Sequence, residues 1–238
     1  REWVTATSAK AQVLPASANG LIGYWRLDEG HGAVGQDKAR SRHLSLPAGN
    51  CWSMESDNFA LCLDGKSYAA LDMTKTGSDD DQNYALEFWF RGDKQNAKAS
   101  LFSVNGDLLE LVAAGDSLNL YANGKINVVT TKSLMDNNWH HFALNVLKGT
   151  SGMASVYIDG TAMANISADK LPAIQTDHLI LGAHRTYESA YDYSFSQYFN
   201  GSFDEVRFWN GTQTAALLRE NMYSKVDSNA PALALYYP

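Results

Sequence analysis

Tyr198-Phe-Asn-Gly-Ser-Phe-Asp-Glu-Val-Arg-Phe-Trp-Asn-Gly211 is the stretch that decides how this chain folds. Two Asn-Gly pairs, Asn200-Gly201 and Asn210-Gly211, bracket eight residues. Asn-Gly accepts positive φ at little cost and so marks tight turns. The bracketed residues alternate as a β-strand does. Asp204, Val206 and Phe208 fall on one face, and Phe203, Glu205, Arg207 and Trp209 on the other. Bulky groups on both faces predict a central strand. Asp204 then shares a face with Val206 and Phe208, where a bare carboxylate is costly and needs a cation, an arginine or several N–H donors.

Working outward, the same signals recur. Tyr84-Ala-Leu-Glu-Phe-Trp-Phe-Arg91 places Leu86, Phe88 and Phe90 on one face and Glu87 and Trp89 on the other. Asn138-Trp-His-His-Phe-Ala-Leu-Asn-Val-Leu147 turns Phe142, Leu144 and Val146 inward. Shorter strands are expected at 21–27, 51–54, 59–63, 67–71, 100–104, 108–112, 117–122, 126–129, 154–158 and 179–182. Turn residues stand between them, including Asp64-Gly65, Asn123-Gly124 and Asp159-Gly160. Only Gln213–Tyr223 reads as a helix, capped by Thr212 or Thr214. Short strands with frequent turns and no alternating helices predict an all-β fold, a two-sheet antiparallel jelly-roll sandwich with one short C-terminal helix.

Length and composition set the boundaries. The 238 residues suit one large all-β domain or two small ones, and 45% hydrophobic content fills a sizeable core. Twelve Tyr and six Trp exceed what a core alone requires. The net charge of −7 and the lack of a basic stripe argue against nucleic acid. No apolar run approaches the roughly 18 residues of a membrane span. Residues 1–19 read as a linker or the tail of a preceding module, 20–226 as the domain, and 227–238 as a closing strand or the start of a following module. Ala18-Asn-Gly-Leu-Ile-Gly-Tyr-Trp-Arg26 is echoed by Asn229-Ala-Pro-Ala-Leu-Ala-Leu-Tyr-Tyr-Pro238, as in a tandem array. Cys51 and Cys62 fit either a disulfide across an antiparallel pair or two buried thiols.

Seven motifs follow one another: Leu21–Gly32, Ala60-Leu-Cys-Leu-Asp-Gly65, Leu86-Glu-Phe-Trp-Phe90, Asn138-Trp-His-His-Phe-Ala143, Val156-Tyr-Ile-Asp-Gly160, Leu179–Gly182 and Gly201-Ser-Phe-Asp-Glu-Val-Arg-Phe-Trp209. In this order they resemble the laminin-G-like, concanavalin A-like lectin/glucanase jelly-roll domain of secreted or surface bacterial proteins. The resemblance implies two face-to-face sheets with loops at the rim. It implies an extracellular, cell-surface or periplasmic setting and a glycan or surface-protein partner. It also implies a structural calcium, with Asp28, Asp37 and Asp204 as candidate ligands completed by backbone carbonyls. The family's usual Asp-x-Ser-Gly loop stands here as Asp37-Lys-Ala-Arg-Ser41, without the Gly.

The acidic run Asp79-Asp80-Asp81 reads as a solvated loop. Jelly-roll glucanases place their carboxylates on one strand as Glu-x-Asp-x-Glu or Glu-x-Asp-x-x-Glu, a spacing absent here. Glu87 and Glu110 are lone strand carboxylates, and His140 and His141 fall on opposite faces. The expectation is therefore a non-catalytic recognition module. Its candidate site is the loop His184–Gln197 with its flank, where Arg185, Tyr187, Tyr191, Asp192, Tyr193 and Tyr198 combine flat apolar rings with polar groups. The alternative readings are a protein-adhesion module and a glycan-active enzyme with an unrecognised carboxylate pair.

Overall fold

Tyr84–Arg91 lies at the centre of a sheet, buried on both faces except at its end. A computed structural model describes residues 14–15, 21–39, 43–46, 51–55, 58–72, 83–104, 108–130, 133–148, 152–167, 171, 178–188, 192–224 and 226–227. Two eight-stranded antiparallel sheets carry the chain. The front sheet runs Thr161–Ser167, Met153–Ile158, His140–Leu147, Tyr84–Arg91, Asn200–Asn210, Phe59–Asp64 and Cys51–Met54, with Leu21–Trp25 pairing the second half of Asn200–Asn210. The back sheet runs Lys125–Val129, Ser117–Ala122, Leu109–Gly115, Gln95–Val104, His178–Leu181, Ala69–Asp72, Leu44–Ser45 and Val34–Gly35. Non-consecutive neighbours in both sheets give the crossed connectivity of a jelly-roll sandwich.

The two sheets bury one continuous core. Leu86, Phe88, Phe90, Phe142, Leu144 and Val146 of the front sheet belong to the same cluster as Phe102, Leu109, Leu111, Leu118 and Leu120 of the back sheet. Phe88 is its hub, with ring centroids of Phe142, Phe102, Phe203 and Phe90 at 5.2, 5.7, 5.9 and 6.1 Å. Removing one such ring from a packed core costs about 3–5 kcal/mol.

The deciding strand is central, as expected, but its alternation is broken. Asp204 pairs Trp89 and Arg207 pairs Glu87, so Glu205 and Val206 together oppose Phe88. Glu205 has φ 52°, the left-handed region that such a bulge uses. The bulge resets the faces. Phe203, Val206 and Phe208 join the inter-sheet core. Arg207 and Trp209 face outward with Glu87, and Asp204 lies opposite Trp89 rather than beside Val206 and Phe208.

The outward face of the front sheet is covered near the C-terminus. The helix spans Ala215–Asn221, and Thr214 caps it by accepting from the Leu217 N–H at 3.2 Å. Just past it, the Met222 carbonyl accepts from the Trp89 indole at 2.9 Å, and Met222 packs with Ala60, Trp89 and Trp139. At the other end of the region, Leu14–Pro15 pairs Val226–Asp227 in parallel. Cys51 and Cys62 face each other across adjacent strands, 5.0 Å apart at Cα, and are joined as a disulfide. No helix among the described residues is long and apolar enough to cross a membrane.

Candidate functional site

The stretch expected to be a loop is an ordered ribbon. His184–Tyr187 and Tyr193–Ser196 pair antiparallel, placing His184 opposite Ser196 and Tyr187 opposite Tyr193. Aromatic and β-branched residues at alternating positions favour this pairing, and cross-strand rings reinforce it. Gly182 lets the chain enter the ribbon. Its φ is +81°, and a Cβ there would lie 2.0 Å from Leu63 Cδ1. Its N–H donates to the Leu101 carbonyl and its carbonyl accepts from the Phe199 N–H, each at 2.9 Å, so both ends of the ribbon are tied to the back sheet. At the tip the Glu188 N–H donates to the Asp192 carbonyl at 2.9 Å.

The ribbon gathers rings around one cation. Arg185 is buried, with its guanidinium 4.6 Å from the Tyr187 ring centroid and 5.5 Å from that of Tyr193. It also donates to the Tyr187 hydroxyl. Tyr193 meets Phe195 edge-on at 5.5 Å, and Phe195 stacks on Tyr68 at 3.8 Å. Burial, then the neighbouring Tyr193 and Tyr198 hydroxyls, push the Tyr68 phenol above its ordinary range against the opposing pull of Arg185. Tyr187 and Tyr193 keep 45% and 53% of their surface in solvent. A guanidinium under a ring contributes about 0.5–2 kcal/mol and fixes the ring's tilt. The result is a rigid pair of exposed aromatic faces with hydroxyl groups at their edges.

Of the residues expected to form a site, Arg185, Tyr187, Tyr193 and Tyr198 are brought together, and Asp192 is exposed at the ribbon tip. Tyr191 lies outside the described residues, as do Asp79, Asp80 and Asp81. Tyr68 and Phe195 were missed. Tyr68 is more than 100 positions away in sequence, and only the sheet pairing of Ala69–Asp72 with His178–Leu181 brings it to the ribbon.

The three candidate calcium ligands sit in different surroundings. Asp37 Oδ1 accepts from the Tyr24 and Ala39 N–H groups at 2.9 and 2.8 Å, so this buried carboxylate pins its loop to the Leu21–Trp25 strand. Asp28 is ion-paired with Arg26. Asp204 is fully enclosed in the central strand. Among the described residues, no group of three or more His, Cys, Asp or Glu side chains is placed to hold a metal. Calcium takes six to eight oxygens, so backbone carbonyls would have to supply most of a shell around any of these carboxylates.

The lone carboxylates acquire partners. Glu87 lies under the C-terminal helix, 3.2 Å from His141 Nε2, and accepts from the Trp209 indole at 2.9 Å. Burial raises its pKa, but His141, Arg207 and Trp209 outweigh that and hold it below the ordinary carboxylate range. Glu110, on the back sheet, meets His184 Nδ1 at 3.0 Å. His140 sits between Asp159 and Asp136, at 3.0 and 3.1 Å.

A family model for the concanavalin A-like lectin/glucanases superfamily, of laminin G type, matches residues 63–218. The chain belongs to that family. Among solved structures it resembles the binding domain of paraclostridial mosquitocidal protein 1, with a TM-score of 0.66 and 14% identity over 87% of this chain and 53% of that one. The binding domain of botulinum neurotoxin DC gives 0.64 and 9% over 86% and 52%, and is known in complex with rat synaptotagmin II and with SialylT. A mutant Trypanosoma rangeli sialidase displaying trans-sialidase activity gives 0.61 and 15% over 87% and 34%. The chain thus spans about half, or a third, of the structures it matches, and these likenesses establish the fold alone. No curated protein matches the sequence.

Proposed function

We propose that this chain is a non-catalytic recognition module that binds glycan through the His184–Ser196 ribbon. One observation carries the reading: Tyr187 and Tyr193 present half-exposed rings, held from beneath by the buried Arg185. Such rings cover the C–H faces of a pyranose, while their hydroxyls and the flanking acids meet its O–H groups. The fold's occurrence in a toxin binding domain complexed with SialylT supports the same reading. The Cys51–Cys62 disulfide supports an extracellular or cell-surface setting, since such bonds persist in oxidising compartments.

A second reading is protein adhesion through the same ribbon, supported by the complex of a structurally similar domain with rat synaptotagmin II. Exposed Tyr with a cation beneath it also suits a protein partner. The discriminating experiment is a glycan panel screened with the purified chain. Binding that is lost in Tyr187→Ala or Tyr193→Ala supports the glycan reading. A blank panel overturns it in favour of a protein partner, and release of reducing sugar from any panel member overturns the non-catalytic part. Calcium is tested separately. Chelation that lowers the melting temperature by several degrees, with metal present in the purified protein, supports a structural calcium at Asp28, Asp37 or Asp204; an unchanged melting temperature with no metal in the purified protein overturns it.

A further inference from the structure

Apart from the ribbon, two described strands belong to neither large sheet. Leu14–Pro15, which leads into the sandwich, and Val226–Asp227, which leaves it, pair with each other in parallel. Leu14 stands opposite Val226 and Pro15 opposite Asp227, so the partners are 212 positions apart. The sequence echoes itself at the same displacement. Moved on by 212 positions, Ala18, Leu21 and Tyr24 fall on Ala230, Leu233 and Tyr236, and the aromatic Trp25 falls on Tyr237. A pairing register and a sequence echo are independent observations, and here they share one spacing. Both sheets of the sandwich and its helix fall inside that interval, between Leu21 and Asn221.

The echoed residues are those that seat the first long strand. Leu21 and Tyr24 pack with Ala85 and Trp209, the Tyr24 hydroxyl donates to Glu205 at 2.7 Å, and Trp25 enters the inter-sheet core. A second copy of this pattern finds that seat taken. Asn200–Asn210 is paired along one edge by Tyr84–Arg91. Along the other it is paired by Phe59–Asp64 at its start and by Leu21–Trp25 towards its end. Residues 228–238 lie outside the described part of the structure, and their equivalence to 16–26 is one of sequence.

We propose that Val226–Asp227 is the lead strand of a second module of this fold, and that successive modules are joined by parallel pairing of their lead strands at equivalent positions. The partner that the Leu14–Pro15 edge fits is then another copy of the same fold, linked in the same polypeptide. Strands on one chain meet intramolecularly, so a pairing this short needs little affinity of its own. The same joint repeated sets each module against the next by one fixed rotation and translation, as in repeat arrays. Whatever the His184–Ser196 ribbon binds, such an array offers it once per module.

The test begins with the gene downstream of the Pro238 codon. The next four residues are expected to repeat the pattern of Leu27-Asp-Glu-Gly30, an apolar residue followed by Asp, an acid and Gly. A counterpart of Gly201-Ser-Phe-Asp-Glu-Val-Arg-Phe-Trp209 is expected about 212 positions after the first. A reading frame that stops near Pro238, or continues without these patterns, overturns the second module. The purified 238-residue chain tests the same assignment. Ending it after Asp227 should lower the melting temperature by less than about 2 °C; a larger fall makes residues 228–238 a closing strand of this sandwich and overturns the proposal. The joint is read by cross-linking. Neighbouring strands lie about 4.8 Å apart, within disulfide reach, so Leu14→Cys/Val226→Cys oxidised with diamide should close a bond seen in non-reducing peptide maps. The off-register pair Ala11→Cys/Val226→Cys should react about tenfold more slowly. Equal rates, or thiols that stay open to alkylation in both, overturn the joint.

Discussion

Arg185 lies 4.6 Å from the ring centroid of Tyr187, and Arg207 lies 5.4 Å from that of Tyr24; both arginines are more than nine-tenths buried. The similarity ends at their outer neighbours. Arg207 donates to Glu205 at 2.8 Å and to the Asn221 carbonyl at 2.9 Å, and it lies 3.5 Å from Glu87. Glu205 also accepts from the Tyr24 hydroxyl at 2.7 Å, and Tyr24 itself is wholly buried. The rings around Arg185 instead keep about half their surface in solvent. An arginine among tyrosines therefore means different things in the two places. Closed by two carboxylates and a helix, it fastens the fold. Left open on one side, it holds a surface in readiness.

The largest test of this contrast is removal of each cation. Arg207→Met leaves Glu87 and Glu205 in a dry site without the charge they share, and breaking such a pair costs about 3–5 kcal/mol. Arg185→Met loses two cation–π contacts on half-exposed rings and the hydrogen bond to Tyr187, each worth about 0.5–1 kcal/mol, and is expected to cost no more than about 2–3 kcal/mol. Chemical denaturation of the two variants reads both values. Equal losses would erase the distinction between fastening and presenting.

Between these extremes lies the edge strand Cys51–Met54, whose flanking Glu55 holds Arg91. Cys51 and Cys62 are 11 positions apart, a short loop for which the chain-entropy account gives about 2–3 kcal/mol. Cys51→Ser/Cys62→Ser is therefore expected to lose that amount. Urea unfolding of this variant reads the loss, and a value indistinguishable from wild type would show that the bond adds nothing to the fold.

A smaller effect tests a third ion cluster, at the start of His140–Leu147. Burial lowers the pKa of His140, but hydrogen bonds and charges from Asp159 and Asp136 outweigh it and leave the group raised. A raised folded-state pKa contributes stability that is fully present below the unfolded histidine value and is lost as pH rises through the folded one. The melting temperature should therefore fall as pH is taken upward from the ordinary histidine range, and this step should be absent in His140→Gln. Arg207, whose two carboxylates push its pKa still higher, adds no such step near neutrality. A pH profile unaltered by His140→Gln would show that the wild-type step comes from elsewhere.

Much of the sandwich was legible because period-two burial is a local signal. Tyr84–Arg91 and Ser117–Ala122 lie where the alternation puts them. Thr161–Ser167 was missed because an exposed edge strand has no apolar face to betray it. The bulge at Glu205 was hidden for a different reason. A non-glycine residue with positive φ leaves no mark in the sequence, and its one-residue shift moved Asp204 away from Val206 and Phe208. The aromatic site was legible in composition but not in form. Tyr187 and Tyr193 stood out, yet the pairing that sets them side by side, and the arrival of Tyr68 from a distant strand, are tertiary facts. The hydrogen bonds that join Asp37 to Tyr24 and Ala39, and the ion pair of Asp28 with Arg26, are likewise contacts that the motif order does not carry.

The smallest expected effect sharpens the opening contrast most. Tyr187→Ala and Tyr193→Ala each remove a ring that is already about half in water, so little buried apolar surface is lost. The strand pairing beneath them uses backbone groups, and Phe195 still stacks on Tyr68. Each variant should lower stability by no more than about 1–2 kcal/mol, the worth of one cation–π contact and, for Tyr187, the hydrogen bond from Arg185. Tyr24→Ala removes a wholly buried ring together with the hydroxyl that donates to Glu205, and belongs with the core losses of about 3–5 kcal/mol. Thermal and urea unfolding of the three variants side by side measure the gap. If Tyr187→Ala and Tyr193→Ala proved as costly as Tyr24→Ala, the ribbon would be part of the fold's own support. Its rings would then be poor candidates for a surface kept open to a ligand.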